Sequence, residues 1–261
     1  PVLVNPGYLV EDGLLAAADL SAPARLRDCT RARYGAAKRF RARRLRKAFQ
    51  RFQAGVARHG LEELRERERF WLADYALFAA LKAHQHHRPW FHWPVDLRRR
   101  EPTALAAART QLANEIAYHE FVQLMFDRQW QRLRGHARHL GVLLLGDLPM
   151  FVAHDGADVW QHQELFLLDE QGERRGVAGV PPDYFSADGQ RWGNPLYDWT
   201  RLRDTGYAWW IERLRSNLRR FDAIRLDHFI GFHRYWEIPT QSPSAREGHF
   251  VEAPGHDFFS R

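Results

Sequence analysis

The stretch that most restricts what this chain can become is Phe221-Asp222-Ala223-Ile224-Arg225-Leu226-Asp227-His228-Phe229, a short apolar run carrying opposite charges where a covered strand should carry none. In extended backbone successive side chains alternate faces, so Phe221, Ala223, Arg225, Asp227 and Phe229 share one side while Ile224 and Leu226 share the other. Arg225 and Asp227 are therefore neighbours. Burying an ion pair costs desolvation energy, so a guanidinium two residues before a carboxylate inside a strand needs a reason. One reason is a carboxylate kept ionised and aligned by its cation at the carboxyl end of a strand; the other is a purely structural buried pair.

A second run, Gly141-Val142-Leu143-Leu144-Leu145-Gly146-Asp147-Leu148-Pro149, has the continuous apolar character of a parallel strand covered on both faces. Asp147 shares its face with Leu143 and Leu145 and points inward, either lining a site or capping the loop that follows. Residues 200–220 read as an amphipathic helix through Leu202, Trp209, Trp210, Leu214 and Leu218. Strand 142–148, a loop, that helix and strand 222–228 then make a βαβ unit, which calls for an α/β fold with a parallel sheet. The loop holds Gly179-Val180-Pro181-Pro182-Asp183-Tyr184-Phe185-Ser186 and Gly189-Gln190-Arg191-Trp192-Gly193-Asn194-Pro195-Leu196-Tyr197, too rich in Pro and Gly for a regular element and too aromatic for an idle connection. A pyranose presents apolar C–H faces and polar edges that an aromatic ring and an amide can meet, although plain packing of Trp192 explains it equally well.

From Pro23 to about Leu140 the periodicity is helical, broken at His86-His87-Arg88-Pro89 and at Glu101-Pro102. One helix opens at Leu61 and continues to Leu81; another begins after Pro102 and runs past Leu133. Residues 25–51 carry a net +11, which leaves −4 for the rest of a chain whose total is +7. Leu26, Tyr34, Phe40, Leu45, Phe49 and Phe52 recur there at helical spacing, so the segment reads as an amphipathic helix with a solvated basic face and not as a nucleic-acid surface. His84, His86 and His87 lack a spaced partner set, and His119-Glu120 lacks the second His of a metalloprotease helix, so no metal is expected. The single Cys29 cannot form an internal disulfide, no stretch reaches the roughly eighteen apolar residues of a membrane span, and no signal-peptide pattern opens the chain, which together point to the cytoplasm.

Asp227-His228-Phe229-Ile230-Gly231-Phe232 followed by Tyr235-Trp236-Glu237-Ile238-Pro239 closely resembles the fourth-strand motif of the 4-α-glucanotransferases called amylomaltases or disproportionating enzymes, glycoside hydrolase family 77. Trp71 to Phe78, Gln129-Trp130, Met150 to Trp160 and the loop 179–197 are similar to the family in the same order, with Gly156 standing for a usual Ser and Ile230 for a usual Arg. The resemblance implies part of a (β/α)8 barrel, the region of strands 3 and 4, arranged as a strand-2-associated loop over 1–22, an inserted helical subdomain over 23–140 and a barrel segment over 141–261. It further implies that the chain is an internal piece whose acid/base Glu lies beyond Arg261, so that the chain alone is expected to be inactive.

The resulting expectation is a retaining glucanotransferase segment. Asp227 is the nucleophile and Arg225 keeps it ionised, while Asp147, Tyr184, Trp192, Asn194 and His228 contact substrate. Maltooligosaccharides and α-1,4-glucans are the partners, glucose is an acceptor, and no cofactor, nucleic acid or membrane is involved. A hydrolase of the α-amylase class and a non-catalytic basic nucleic-acid-binding protein remain the alternatives.

Overall fold

The computed structural model describes residues 3–21, 31 and 33–261; Cys29 and the opening of the basic segment, residues 25–30 and 32, lie outside the described residues. The chain divides into two compact units, Pro1–Ala80 with Gln111–Val142, and Leu81–Thr110 with Leu143–Arg261. Residues 81–110 group with the strand-bearing part and residues 3–21 with the helices.

The first unit is helical. Helix Tyr34–Gln53 buries Leu45, Ala48, Phe49 and Phe52 at the spacing read from sequence, while Tyr34 at the head of that stripe is exposed. Helix Ala113–His139 supplies the facing side chains, with Phe121 ring-to-ring at 5.4 Å from Phe49 and 4.9 Å from Phe52. Each fully buried side chain of this kind contributes about 1.5–3 kcal/mol. Much of the basic face serves the unit itself. Arg46 forks onto Glu115 at 2.8 and 2.5 Å, Lys47 reaches Asp19 at 2.6 Å, and Arg44 Nε donates to the Asp19 carbonyl at 2.8 Å.

The long helices expected from periodicity are broken. Leu61–Arg67 and Leu72–His84 are separate helices, with the buried Glu68 between them accepting from Trp71 Nε1 at 2.6 Å. Leu112 separates Pro102–Gln111 from Ala113–His139. Near the start, Pro6–Glu11 is a short helix capped by the Asn5 side chain. His86 and His87 both adopt left-handed backbone in the turn after His84, and no His, Cys, Asp or Glu cluster fit for a metal ion occurs among the described residues. No helix among them is long and apolar enough to cross a membrane.

The second unit holds two sheets. Strands β1 (Leu145–Pro149) and β4 (Ala223–Asp227) pair in parallel, as the βαβ reading requires, with Asp147 opposite Arg225 and Pro149 opposite Asp227. Coverage on both faces does not hold. Gly146 and Leu148 are buried, whereas Leu145 and Asp147 on the alternate face are exposed, so the acid-bearing face of the pair is open. Gly146 is required on the covered face, where a Cβ would come within 2.5 Å of the Phe221 ring. The expected single helix over 200–220 is two helices, Trp199–Asp204 and Ala208–Arg220, divided where Gly206 and Tyr207 turn left-handed. Leu202, Trp209 and Trp210 are buried, but Leu218 is half exposed.

The second sheet contradicts the reading of 179–197 as irregular. Strands β2 (Gly176–Val180), β3 (Gln190–Pro195), β5 (Arg234–Pro239) and β6 (His249–Glu252) form an antiparallel sheet ordered β3-β2-β5-β6. The glycines that argued against a strand are what admits it. At Gly179 a Cβ would lie 2.2 Å from the Gln190 carbonyl oxygen, a spacing only glycine tolerates.

Candidate active site

The carboxyl ends of β1 and β4 bring two acids to one guanidinium. Because β1 and β4 run in register, Asp147 lies opposite Arg225, and Asp227 follows two residues later on the same face. Arg225 Nη1 donates to both oxygens of Asp147 at 2.9 Å, and Nη2 donates to Asp227 Oδ1 at 2.6 Å. The side chains of all three are about half exposed, 58% for Arg225, 62% for Asp147 and 48% for Asp227, so the desolvation argument built on a buried pair does not apply. What holds the triad is geometry, since the planar fork presents one nitrogen to each carboxylate in a fixed orientation.

His228 follows Asp227 in left-handed backbone, φ 53°, a conformation that a residue with a Cβ adopts at a cost of about 1–3 kcal/mol. That turn carries its ring away from the strand and into an aromatic cluster. The Trp192 ring stands edge-on to it at 4.8 Å and Phe151 lies at 6.2 Å. Burial lowers the His228 pKa, with Asp227 pulling the other way, and its buried Nε2 has no hydrogen-bond partner. A neutral imidazole suits hydrogen bonding to a neutral ligand such as a sugar hydroxyl.

Phe151 is the centre of this cluster, with Trp192 at 6.3 Å, Tyr197 stacked at 5.9 Å and Tyr235 edge-on at 6.4 Å. Neither Phe151 nor Tyr235, whose phenol burial pushes up to about 12, stands out in sequence as more than an aromatic in a run. Below them the backbone at the end of β1 is clamped. Tyr197 Oη donates to the Met150 carbonyl at 2.7 Å, and Arg213 donates to the Pro149 and Met150 carbonyls at 2.8 and 3.1 Å.

The loop residues divide. Trp192 is 39% exposed, with its ring perpendicular to that of His228 and its Nε1 donating to Gln190 Oε1 at 3.0 Å. Asn194 uses its Nδ2 on the Val152 carbonyl at 2.8 Å, tying β3 to the loop after β1. Tyr184 is not part of the cluster. It is 97% exposed, its described ring contact is with Phe185 at 5.6 Å, and Asp183 holds the tip by accepting from the Phe185 and Ser186 amides at 2.9 and 2.7 Å. Ile230, beside the cluster, is half exposed.

The family model for 4-alpha-glucanotransferases, glycoside hydrolase family 77, matches residues 1–261. The 4-alpha-glucanotransferase of Thermus thermophilus is 50% identical over 220 residues, 83% of this chain and 44% of that protein. That of Synechocystis sp. is 41% identical over 99% of this chain and 52% of the relative. The chain thus spans about half the length of the curated relatives it matches. The amylomaltase of Streptococcus agalactiae, solved in complex with acarbose, superposes with a TM-score of 0.94 at 35% identity, covering 99% of this chain and 52% of that one. A model match from end to end, and relatives of this identity over most of its residues, establish that the chain belongs to the 4-alpha-glucanotransferase family.

Proposed function

We propose that this chain carries the nucleophile side of a retaining 4-α-glucanotransferase, which moves α-1,4-glucan segments from a donor to glucose or a maltooligosaccharide. The observation that supports this most is the Arg225 fork, which fixes Asp227 at the carboxyl end of a parallel strand beside an aromatic wall. Arg225 aligns Asp227 by engaging Oδ1, while Oδ2 attacks the donor's anomeric carbon. The glycosidic C–O bond breaks, the leaving oxygen takes a proton from an acid/base carboxyl, and a covalent glucosyl-enzyme forms. The acceptor hydroxyl, deprotonated by the same carboxyl, then attacks the anomeric carbon and frees Asp227.

Such chemistry sets the two carboxyls ~5–5.5 Å apart. Asp147 is tied to Arg225 through both oxygens, so it is assigned to lining the sugar site. The acid/base is assigned to a residue in the part of the family's length that this chain does not span. Trp192 and Tyr184 supply apolar faces for glucose units, and His228 and Asn194 Oδ1 meet hydroxyls. The S. agalactiae relative's complex with acarbose supports oligosaccharide binding. In the same reading β1 and β4 are neighbouring strands of a (β/α)8 barrel into which the helical residues of 23–140 are inserted. Their parallel pairing and the likeness to amylomaltase support it. The steps require neither metal nor organic cofactor.

The test is Asp227→Asn in an active transferase that contains this chain, with maltotriose as sole substrate. The parent should yield both shorter and longer oligosaccharides, and the variant should lose ~10⁴-fold in rate while still binding glucan. A variant keeping a tenth of the rate refutes the nucleophile. A parent that releases only glucose and maltose is an α-amylase-class hydrolase instead.

A further inference from the structure

Trp192 stands on a strand that breaks its own pairing. Val177 faces Pro195 and Gly179 faces Arg191, so Trp192, Gly193 and Asn194 lie across from Ala178 alone. Gly193 takes up the extra length in left-handed backbone, φ +79°. An irregularity of this kind re-aims a side chain, and it is stable only if the released backbone groups find partners. Asn194 is tied on one side through its Nδ2 to the Val152 carbonyl. On the other side the Gly193 carbonyl accepts from Arg174 Nη1 at 2.6 Å.

Arg174 is itself firmly placed. Thr240 Oγ1 donates to its carbonyl at 2.9 Å, the next amide, Arg175 N, donates to the Leu167 carbonyl at 3.0 Å, and Arg174 bridges to Leu168. Its Nε is buried without a hydrogen-bond partner. The guanidinium is instead anchored through Nη1, whose charge-assisted bond goes to the Gly193 carbonyl. That bond fixes the Gly193–Asn194 peptide, one residue beyond Trp192, whose ring stands 4.8 Å from His228.

We infer that Arg174 is a positioning residue for transfer: through the Gly193 carbonyl it holds the Trp192 ring at the sugar site. The inference rests on the substrate contact proposed for Trp192. It predicts a device acting on donor binding and not on the bond-breaking step, because Arg174 reaches the site only through the backbone of β3.

The experiment is a double-mutant cycle of Arg174→Met and Trp192→Ala in an active transferase containing this chain, reading KM and kcat with maltoheptaose as donor and the melting temperature of each variant. Arg174→Met should raise KM about tenfold, the equivalent of one lost charge-assisted bond, with kcat within about twofold of the parent. Arg174→Lys, which keeps one cationic donor, should recover part of the loss. In the Trp192→Ala background Arg174→Met should add nothing to KM. An unchanged KM in Arg174→Met beside a raised KM in Trp192→Ala overturns the inference and leaves the Trp192 contact standing. Effects that multiply in the double variant also overturn it, since Arg174 then acts independently. No effect of Trp192→Ala on KM removes the substrate contact itself, and the inference with it. Should Arg174→Met not fold, Arg174→Gln replaces it, with a raised KM supporting the inference and an unchanged one refuting it.

Discussion

Replacing Arg225 by Lys isolates what the triad depends on. The substitution keeps the positive charge and removes the fork, so Nη1 can no longer hold both oxygens of Asp147 while Nη2 holds Asp227 at 2.6 Å. All three side chains are more than a third exposed, and exposed ion pairs contribute about 0–1 kcal/mol each after solvent screening. For two such pairs the melting temperature should therefore fall by no more than ~8 °C, using about 2–4 °C per kcal/mol. Activity should respond differently. Loss of a hydrogen bond to a charged group that aligns the nucleophile is worth about 1.5–3 kcal/mol, which is roughly 10- to 150-fold in kcat, with little change in KM. The assay, in an active transferase that contains this chain, is initial-rate disproportionation of maltotriose alongside calorimetric melting of the same preparation. A kcat within twofold of the parent would show that charge alone suffices. A large fall in melting temperature with unchanged rate per folded molecule would make the triad a structural device.

Two further predictions follow from packing and burial. Gly231→Ala places a Cβ 2.2 Å from Met150 Sδ and 2.8 Å from His228 Cδ2, so it should destabilise by about 1–3 kcal/mol and raise KM by displacing the His228 ring, read by urea unfolding and donor titration. Unchanged stability and KM would mean the two side chains yield freely. His119 has its pKa pushed down to about 4 by burial, against the opposing pull of Glu115, whereas an unfolded His titrates near 6.5. The unfolded chain therefore binds this proton first, and the stability present above about pH 6.5 is lost as pH falls towards about 4. His119→Gln should recover up to roughly 3 kcal/mol of that acid-side loss, and equal slopes of unfolding free energy against pH in the two proteins would refute it.

The sequence by itself determined the features whose cause is local. Strands near 142–148 and 222–228 announce themselves by apolar runs, and the contact of Arg225 with Asp227 follows from the period of two in extended backbone. The helical character of residues 34–139 and the buried Leu45, Phe49 and Phe52 follow from a spacing of three and four. Tertiary structure decided what depends on partners far along the chain. Asp147 and Arg225 are 78 residues apart, and only the parallel register makes one guanidinium serve both acids. Phe151 becomes the hub of the site only when β3, β5 and the turn after β4 converge on it. The antiparallel sheet was hidden because Gly179 and Gly193 lower local strand propensity, while the structure uses them for close approach and for a left-handed turn. Likewise the breaks at Glu68–Trp71, Leu112 and Gly206-Tyr207 leave the apolar period almost unaltered, so periodicity reads through them and only the packed chain shows where each helix stops.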